Sequence, residues 1–306
     1  MSWQARLIAA GLRLIVRRRL ARERNPRRAR ARFLLAARLF FRDPPFALYL
    51  RDRLGTQEAS VPALWARVAS TRERGVLLYL HGGAYLMGSP RTHRAMAARL
   101  AAESGLAAIL PRYRLAPEHP FPAAFDDALT AYHALLARGY PAARIALAGD
   151  SAGGGLALAL LAEIGRRDLP RPAALVAFSP LVDMSFAARS MRENARSDAL
   201  LPAQRARDMR AFYMPQGDPR DPRASPLFAD WKAPVPPTLV MASRAEILRD
   251  DAVAMAERLR EAGGRAECEL WEAMVHVWPI FQGRMPEADA ALARAGSFLR
   301  RHIAEI

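Results

Sequence analysis

Cysteine and lysine are all but missing from this chain. Cys268 is the one cysteine in 306 residues, so no intramolecular disulfide can form and no thiolate metal site can be built. Such a chain suits a reducing compartment, and a cytoplasmic location is the expectation. Lys232 is the one lysine, yet the net charge is +16, so arginine carries it. A charge of that sign suits nucleic acid or anionic lipid. For the body of the chain the reading is an arginine-rich composition with no nucleic-acid partner. Long uncharged apolar runs are absent as well. Arg13 interrupts the first apolar stretch and no small-residue cleavage site follows, which argues against a signal peptide. The stretch is also too short and too charged to span a bilayer. Acids nearly vanish from Met1 to Arg53, where only Glu23, Asp43 and Asp52 occur.

Apolar residues make up 52% of the chain, enough to build a large core. From Trp3 to Leu20, the residues Trp3, Leu7, Ile8, Leu12, Ile15 and Val16 recur at helical spacing. The expectation is an amphipathic helix whose apolar face lies on the protein body while the arginines face water. Docking of Arg17–Arg19 and Arg27–Arg28 on anionic headgroups is the alternative. Pro44, Pro45 and Gly55 end this helical region.

Beyond it strands and helices alternate. Val61–Ser70 and Val76–Leu80 read as strands joined by a turn at Thr71–Gly75, and are expected to pair antiparallel. Leu106–Leu110, Ile145–Ala148, Ala173–Phe178, Pro237–Ser243 and Arg265–Trp271 read as further strands. Helices are expected over Thr92–Ser104, Pro122–Arg138, Leu156–Glu163, Ala252–Ala262 and Glu287–His302. This pattern predicts an α/β fold with a mainly parallel sheet and helices on both faces. Residues 183–236 depart from it. They are rich in proline, hold the polar run Arg192–Asp198, and read as an excursion over the sheet's carboxyl edge. Met209, Phe212, Tyr213 and Met214 would either roof a pocket or form that segment's own core.

The chemistry centres on Gly149-Asp-Ser-Ala-Gly153, a G-x-S-x-G sequence between a strand and a helix. A turn this sharp needs small neighbours, and it lifts Ser151 to a helix N-terminus where a developing oxyanion is favoured. The plainer reading is a helix N-cap serine. His81-Gly-Gly-Ala84 leaves the strand Val76–Leu80, with glycines that let backbone N–H groups turn into a pocket. His276 follows the last strand and precedes the last helix, where a base in Ser…acid…His order must sit. His93, His133 and His302 are read as solvated helix residues, and His81 and His119 as turn residues. For the acid, Glu246 lies just past the strand Pro237–Ser243. Asp250 and Asp251 are its rivals, with capping of the next helix as their other role.

Taken in order, five motifs resemble the hormone-sensitive-lipase-like branch of the α/β-hydrolases, the bacterial esterases of that group. They are His81-Gly-Gly-Ala-Tyr85, Tyr113-Arg-Leu-Ala-Pro-Glu-His119, Gly149-Asp-Ser-Ala-Gly-Gly154, Leu248-Arg-Asp-Asp251 and Met274-Val-His276. The resemblance covers roughly residues 60 to 300 and implies an α/β-hydrolase fold with a helical cap. It implies Ser151 as nucleophile and His276 as general base. It places the oxyanion donors among the N–H groups of Gly82, Gly83, Ala84 and Ala152. It implies no cofactor and no metal. Its usual acid is an aspartate at the position of Glu246, and Ser243 replaces a common glycine. The chain then divides into an N-terminal helical cap segment at residues 1–55, a core at 56–182 and 237–306, and an inserted lid at 183–236.

The expected activity is hydrolysis of a small-molecule carboxylic ester or lactone with a short to medium acyl chain, through an acyl-enzyme. A small apolar group is expected because the pocket walls show no charge reader. A ligand-binding protein on a catalytically dead scaffold is the competing class, as in the plant gibberellin receptors, which lack the histidine that this chain keeps. Membrane-surface contact by the first helix and a homodimer stay open.

Overall fold

The computed structural model describes residues 1–45, 47–56, 59–68 and 75–303. Eight strands form one sheet: β1 (Ala47–Gly55), β2 (Ser60–Val68), β3 (Val76–Leu80), β4 (Ala107–Pro111), β5 (Ile145–Asp150), β6 (Ala174–Phe178), β7 (Thr238–Ser243) and β8 (Ala266–Trp271). Their order is β1-β2-β4-β3-β5-β6-β7-β8, antiparallel at the β1–β2 and β2–β4 pairs and parallel from β4 to β8.

Successive strand residues point to opposite faces, so one strand feeds two cores. Leu78 and Leu80 enter a core roofed by α5 (Ala123–Ala137), α6 (Ala152–Arg166) and α9 (Arg249–Glu261). Leu77 and Tyr79 enter the opposite core, under α4 (Pro90–Ser104) and α10 (Pro286–His302). The N-terminal helices add a further piece. Helix α1 (Trp3–Gly11) runs through a π-turn at Leu12–Val16 into α2 (Arg17–Arg22). After the N-cap Asn25, α3 (Pro26–Phe40) turns back. Two short helices, α7 (Ser190–Glu193) and α8 (Ala206–Tyr213), lie within residues 183–236.

Three expectations change. The strand at Val76–Leu80 does not pair with β2. Its five residues are fully buried, so it takes a central place between β4 and β5, while β2 pairs with β1 and β4. The turn expected at residues 71–75 lies, except for Gly75, outside the described residues, as do positions 69 and 70. Second, residues 47–55 are a strand of the sheet and not part of a helical segment, so the helices end at Phe40. Arg51, Asp52 and Arg53 give this stretch a charge that an edge strand tolerates, and Asp52 accepts the Trp65 indole N–H at 2.8 Å and pairs with Arg138. Third, the apolar residues of the first helix do not share one buried face. Ala5, Ile8, Ala9 and Leu12 pack inward, whereas Trp3, Leu7 and Ile15 are exposed. No helix among the described residues is long and apolar enough to cross a membrane.

Helices α4 and α10 touch backbone to backbone at Gly296, where an added Cβ would lie 2.3 Å from Glu103 Cβ and 2.6 Å from its carbonyl carbon. Alanine favours a helix over glycine by about 1 kcal/mol. Overpacking against a backbone that cannot rotate away costs about 1–3 kcal/mol. The clash wins, so Gly296→Ala is expected to lower the melting temperature by several degrees. A melt at or above that of the unchanged chain would contradict this packing.

Candidate active site

Strand β5 ends at Asp150 and α6 begins at Ala152, so the turn between them is the single residue Ser151. Its φ is +53°, a left-handed value that a non-glycine residue rarely adopts. Close approach requires the flanking glycines. A Cβ on Gly149 would lie 2.3 Å from the Gly153 carbonyl oxygen, and one on Gly153 would lie 2.1 Å from that of Leu80. The Ser151 N–H donates to Phe178 at 2.8 Å and its carbonyl accepts the Leu181 N–H at 3.0 Å, which ties the turn to the end of β6. Ser151 makes no side-chain capping bond, so the N-cap reading does not describe it. Its Oγ lies 2.9 Å from His276 Nε2 instead.

His276 sits on the loop between β8 and α10, beside Val277, whose φ is +53° and whose N–H donates to Ser179 Oγ at 3.2 Å. Glu246 Oε2 lies 2.5 Å from the other ring nitrogen, Nδ1. The second carboxylate oxygen, Oε1, accepts the Ser243 N–H at 2.7 Å, and Ser243 Oγ donates to the Met274 carbonyl at 2.7 Å. Ser243 therefore joins the acid loop to the histidine loop, a task that glycine has no side chain to perform. Burial disfavours the imidazolium of His276, but the hydrogen bond and charge of Glu246 outweigh it and raise the pKa above its ordinary value.

Asp250 and Asp251 are placed elsewhere. Helix α9 starts earlier than expected, at Arg249, with no side-chain cap, so neither residue is in capping position. Asp250 Oδ2 accepts the Ser190 N–H at 2.8 Å, and Asp251 Oδ2 accepts those of Val182 and Asp183 at 3.0 and 3.3 Å. Both hold the start of the inserted segment. The polar run at Arg192–Asp198 does similar work. Asn194 Nδ2 donates to the carbonyls of Arg244 and Glu246 at 2.9 and 2.8 Å, and Asp198 Oδ2 accepts the Ile247 N–H at 3.0 Å. The sequence held one signal of this, the Asn, Ser and Asp at positions 194, 197 and 198 in a segment with no strand of its own.

The loop after β3 carries left-handed φ values at Gly83 (+123°), Ala84 (+58°) and Tyr85 (+58°). Alanine thus adopts here the conformation that a third glycine would adopt freely. Among the described residues no acceptor is hydrogen-bonded to the Gly83 or Ala84 N–H, and Ala152 is the first residue of α6, whose N–H has no partner within its helix. Gly82 leaves the donor set. Its N–H is used by Asp150 Oδ1 at 3.0 Å. The same oxygen accepts the Tyr79 hydroxyl at 2.7 Å, and His93 Nε2 lies 3.4 Å from Oδ2. His93 is therefore buried in this cluster and is not solvated, because α4 turns it inward onto Asp150 and the stacked ring of His81. His81 stacks on Tyr113 at 4.2 Å, and burial pulls its pKa down to about 3, so the ring is neutral.

A cavity opens above Ser151, lined by Ala84, Leu86, Leu181, Phe186, Met209 and Phe212 among others. Its volume is about 160 Å³. Met209 and Phe212 face it. Tyr213 and Met214 are buried instead, and Tyr213 stacks on Tyr85 at 3.9 Å. The two roles considered for the Met209–Met214 stretch are thus split between its halves. Charged groups do line the mouth, contrary to expectation: Glu23, Arg24 and Arg205, with Arg205 donating to the Glu23 carbonyl at 2.7 Å.

The opposing influences on His276 give a test of the geometry. Imidazole titration followed by NMR should place His276 above 6.5. In Glu246→Gln only the weaker pull of the Asp198 and Asp150 charges is left to oppose burial, and the midpoint should fall below that of the unchanged chain. An unmoved midpoint would mean that Glu246 does not face the ring.

Comparison with known proteins agrees with this architecture. A family model described as α/β hydrolase fold matches residues 77–280. The chain is 41% identical over 238 residues to an acetyl-hydrolase of Streptomyces hygroscopicus, covering 78% of this chain and 79% of that one. It is 37% identical to an esterase of Acinetobacter venetianus, over 73% of this chain and 74% of that one. Among solved structures, an esterase from the bacterial hormone-sensitive lipase family superposes with a TM-score of 0.91 at 39% identity, over 99% of both chains. EstE5 superposes with a TM-score of 0.93 at 33% identity, over 100% of both. The chain belongs to the α/β-hydrolase fold family, in its bacterial hormone-sensitive-lipase branch of esterases.

Proposed function

We propose that this protein hydrolyses short-chain carboxylic esters through an acyl-enzyme on Ser151. The observation that carries the reading is the hydrogen-bonded line from Ser151 Oγ to His276 Nε2 at 2.9 Å and from Nδ1 to Glu246 Oε2 at 2.5 Å. Neutral His276 takes the Ser151 proton as Oγ attacks the ester carbonyl, and returns it to the leaving alcohol. Glu246 holds the Nδ1–H tautomer and stabilises the imidazolium. The N–H groups of Gly83, Ala84 and Ala152 meet the oxyanion. A water then repeats the sequence on the acyl-enzyme and frees the acid.

The acyl preference follows from the cavity. Its 160 Å³ is close to the size of an apolar cavity elsewhere that holds one benzene ring, so acyl chains up to about six carbons fit. Residues 183–236 and the N-terminal helices act as the cap, since both contribute walls to the same cavity.

Assayed on a chain-length series of 4-nitrophenyl esters, turnover should be highest at acetyl to hexanoyl and fall for longer chains. Ser151→Ala should abolish it with the fold intact, and Glu246→Gln should lower kcat on the order of 10⁴-fold. Activity that survives in Ser151→Ala, or that rises with chain length through dodecanoyl, would overturn the reading.

A further inference from the structure

The charge and the exposed apolar surface of this chain are concentrated in one place. Met1–Arg42 holds thirteen arginines and a single acid, Glu23, a net of +12 out of the chain's +16. The rest of the chain is close to balanced, so a uniformly arginine-rich composition does not account for the excess. The same segment exposes large apolar side chains: Trp3 (70%), Leu7 (66%), Leu35 (58%), Leu39 (61%) and Phe40 (55%). A helix packed only as part of a cap would bury such residues and turn its polar ones to water. Here Ile8, Ala9 and Leu12 already fill the inward side, and the outward apolar residues are surplus to it.

Both ends of the segment are anchored to one stretch of chain. Ser2 donates through its N–H and Oγ to Glu287 at 2.5 and 2.8 Å, which pins the start of α1. Arg284 donates to the carbonyls of Phe40 and Leu39 at 2.5 and 3.3 Å, which pins the end of α3 three residues away on the same stretch of chain. Both ends of the α1–α3 hairpin are thus anchored at positions 284 and 287, so Trp3 and Leu7 start it near where Leu39 and Phe40 end it. Arg6 stands three residues from Trp3 and Arg38 three from Leu35, so each shares the helix face of its apolar neighbour. Among the described residues neither Arg6 nor Arg38 forms an ion pair, nor do Arg18 and Arg19. The closed end of the hairpin, through Leu20, Arg24, Pro26 and Ala29, forms part of the rim of the cavity above Ser151.

We propose that the exposed face of the α1–α3 hairpin docks on an anionic lipid surface. The indole of Trp3 and the side chains of Leu7, Leu35, Leu39 and Phe40 enter the headgroup boundary, and the unpaired arginines meet lipid phosphates. Apolar insertion combined with anionic attraction is the requirement for a helix that lies in an interface without crossing it. Because the closed end of the same hairpin rims the cavity, docking holds the protein beside a phase in which esters of low water solubility partition.

Co-sedimentation of the full chain with vesicles tests this. Vesicles of equal parts phosphatidylcholine and phosphatidylglycerol should bind it about ten-fold or more better than phosphatidylcholine alone, and added salt should weaken the binding. The double variant Trp3→Ser, Leu39→Gln should lose most of that binding, and Arg6→Gln, Arg38→Gln should flatten its salt dependence. All four positions are exposed, so the melting temperature and turnover of a water-soluble ester should not change. Equal binding to both vesicle types, no binding, or binding that the double variant retains would overturn the proposal. So would a dimer in sedimentation velocity that Trp3→Ser, Leu39→Gln dissociates, because the face would then be covered by a second copy.

Discussion

One residue held in a left-handed turn sets up the rest of this molecule. At φ +53°, Ser151 carries a strain of about 1–3 kcal/mol that its surroundings must hold in place. They do so from three sides. Strand β5 is hydrogen-bonded between β3 and β6, the Ser151 N–H and carbonyl are bound to Phe178 and Leu181, and α6 presses backbone to backbone on Leu80 and His81 through Gly153. The serine side chain then leaves the turn with its own backbone satisfied, free to meet His276.

A second set of contacts keeps the partners of Ser151 in register. Asp150, next to the serine and buried, binds the Gly82 N–H and the Tyr79 hydroxyl, so the residue that shapes the turn also anchors the loop of open N–H groups. On the far side, Asn194, Asp198 and Ser190 hold the loop of Glu246, while Asp250 and Asp251 hold the inserted segment in return. Burial pushes Asp251 up to about 8 in spite of the two N–H groups it accepts. The excursion at residues 183–236 is thus as much the frame of the Glu246 loop as a wall of the cavity.

Much of this could be read from residue order. Alternating apolar runs placed the strands and helices from β3 onward to within a few residues, because central parallel strands are short, wholly apolar and bounded by glycine or proline. The sequence also pointed to Ser151, His276 and Glu246, which lie on tight loops next to predictable elements. What was not legible depended on partners distant in the chain. The strand β1 hid behind Arg51, Asp52 and Arg53, whose charge is harmless only at an edge. His93 looked solvated because nothing in its helix announces the buried carboxylate of Asp150. The N–H of Gly82 looked available until the same carboxylate was seen to occupy it. The exposed side of α1 was not legible because six apolar residues at helical spacing do not say which of them the protein body will cover.

The central claim is that the turn makes Ser151 the one activated nucleophile, through His276. Intact-mass and peptide analysis after treatment with a fluorophosphonate tests it most directly. The account predicts a single adduct on the peptide that contains Ser151, formed rapidly in the unchanged chain and very slowly in His276→Ala. An adduct on another residue, or labelling of Ser151 at the same rate without His276, would contradict it.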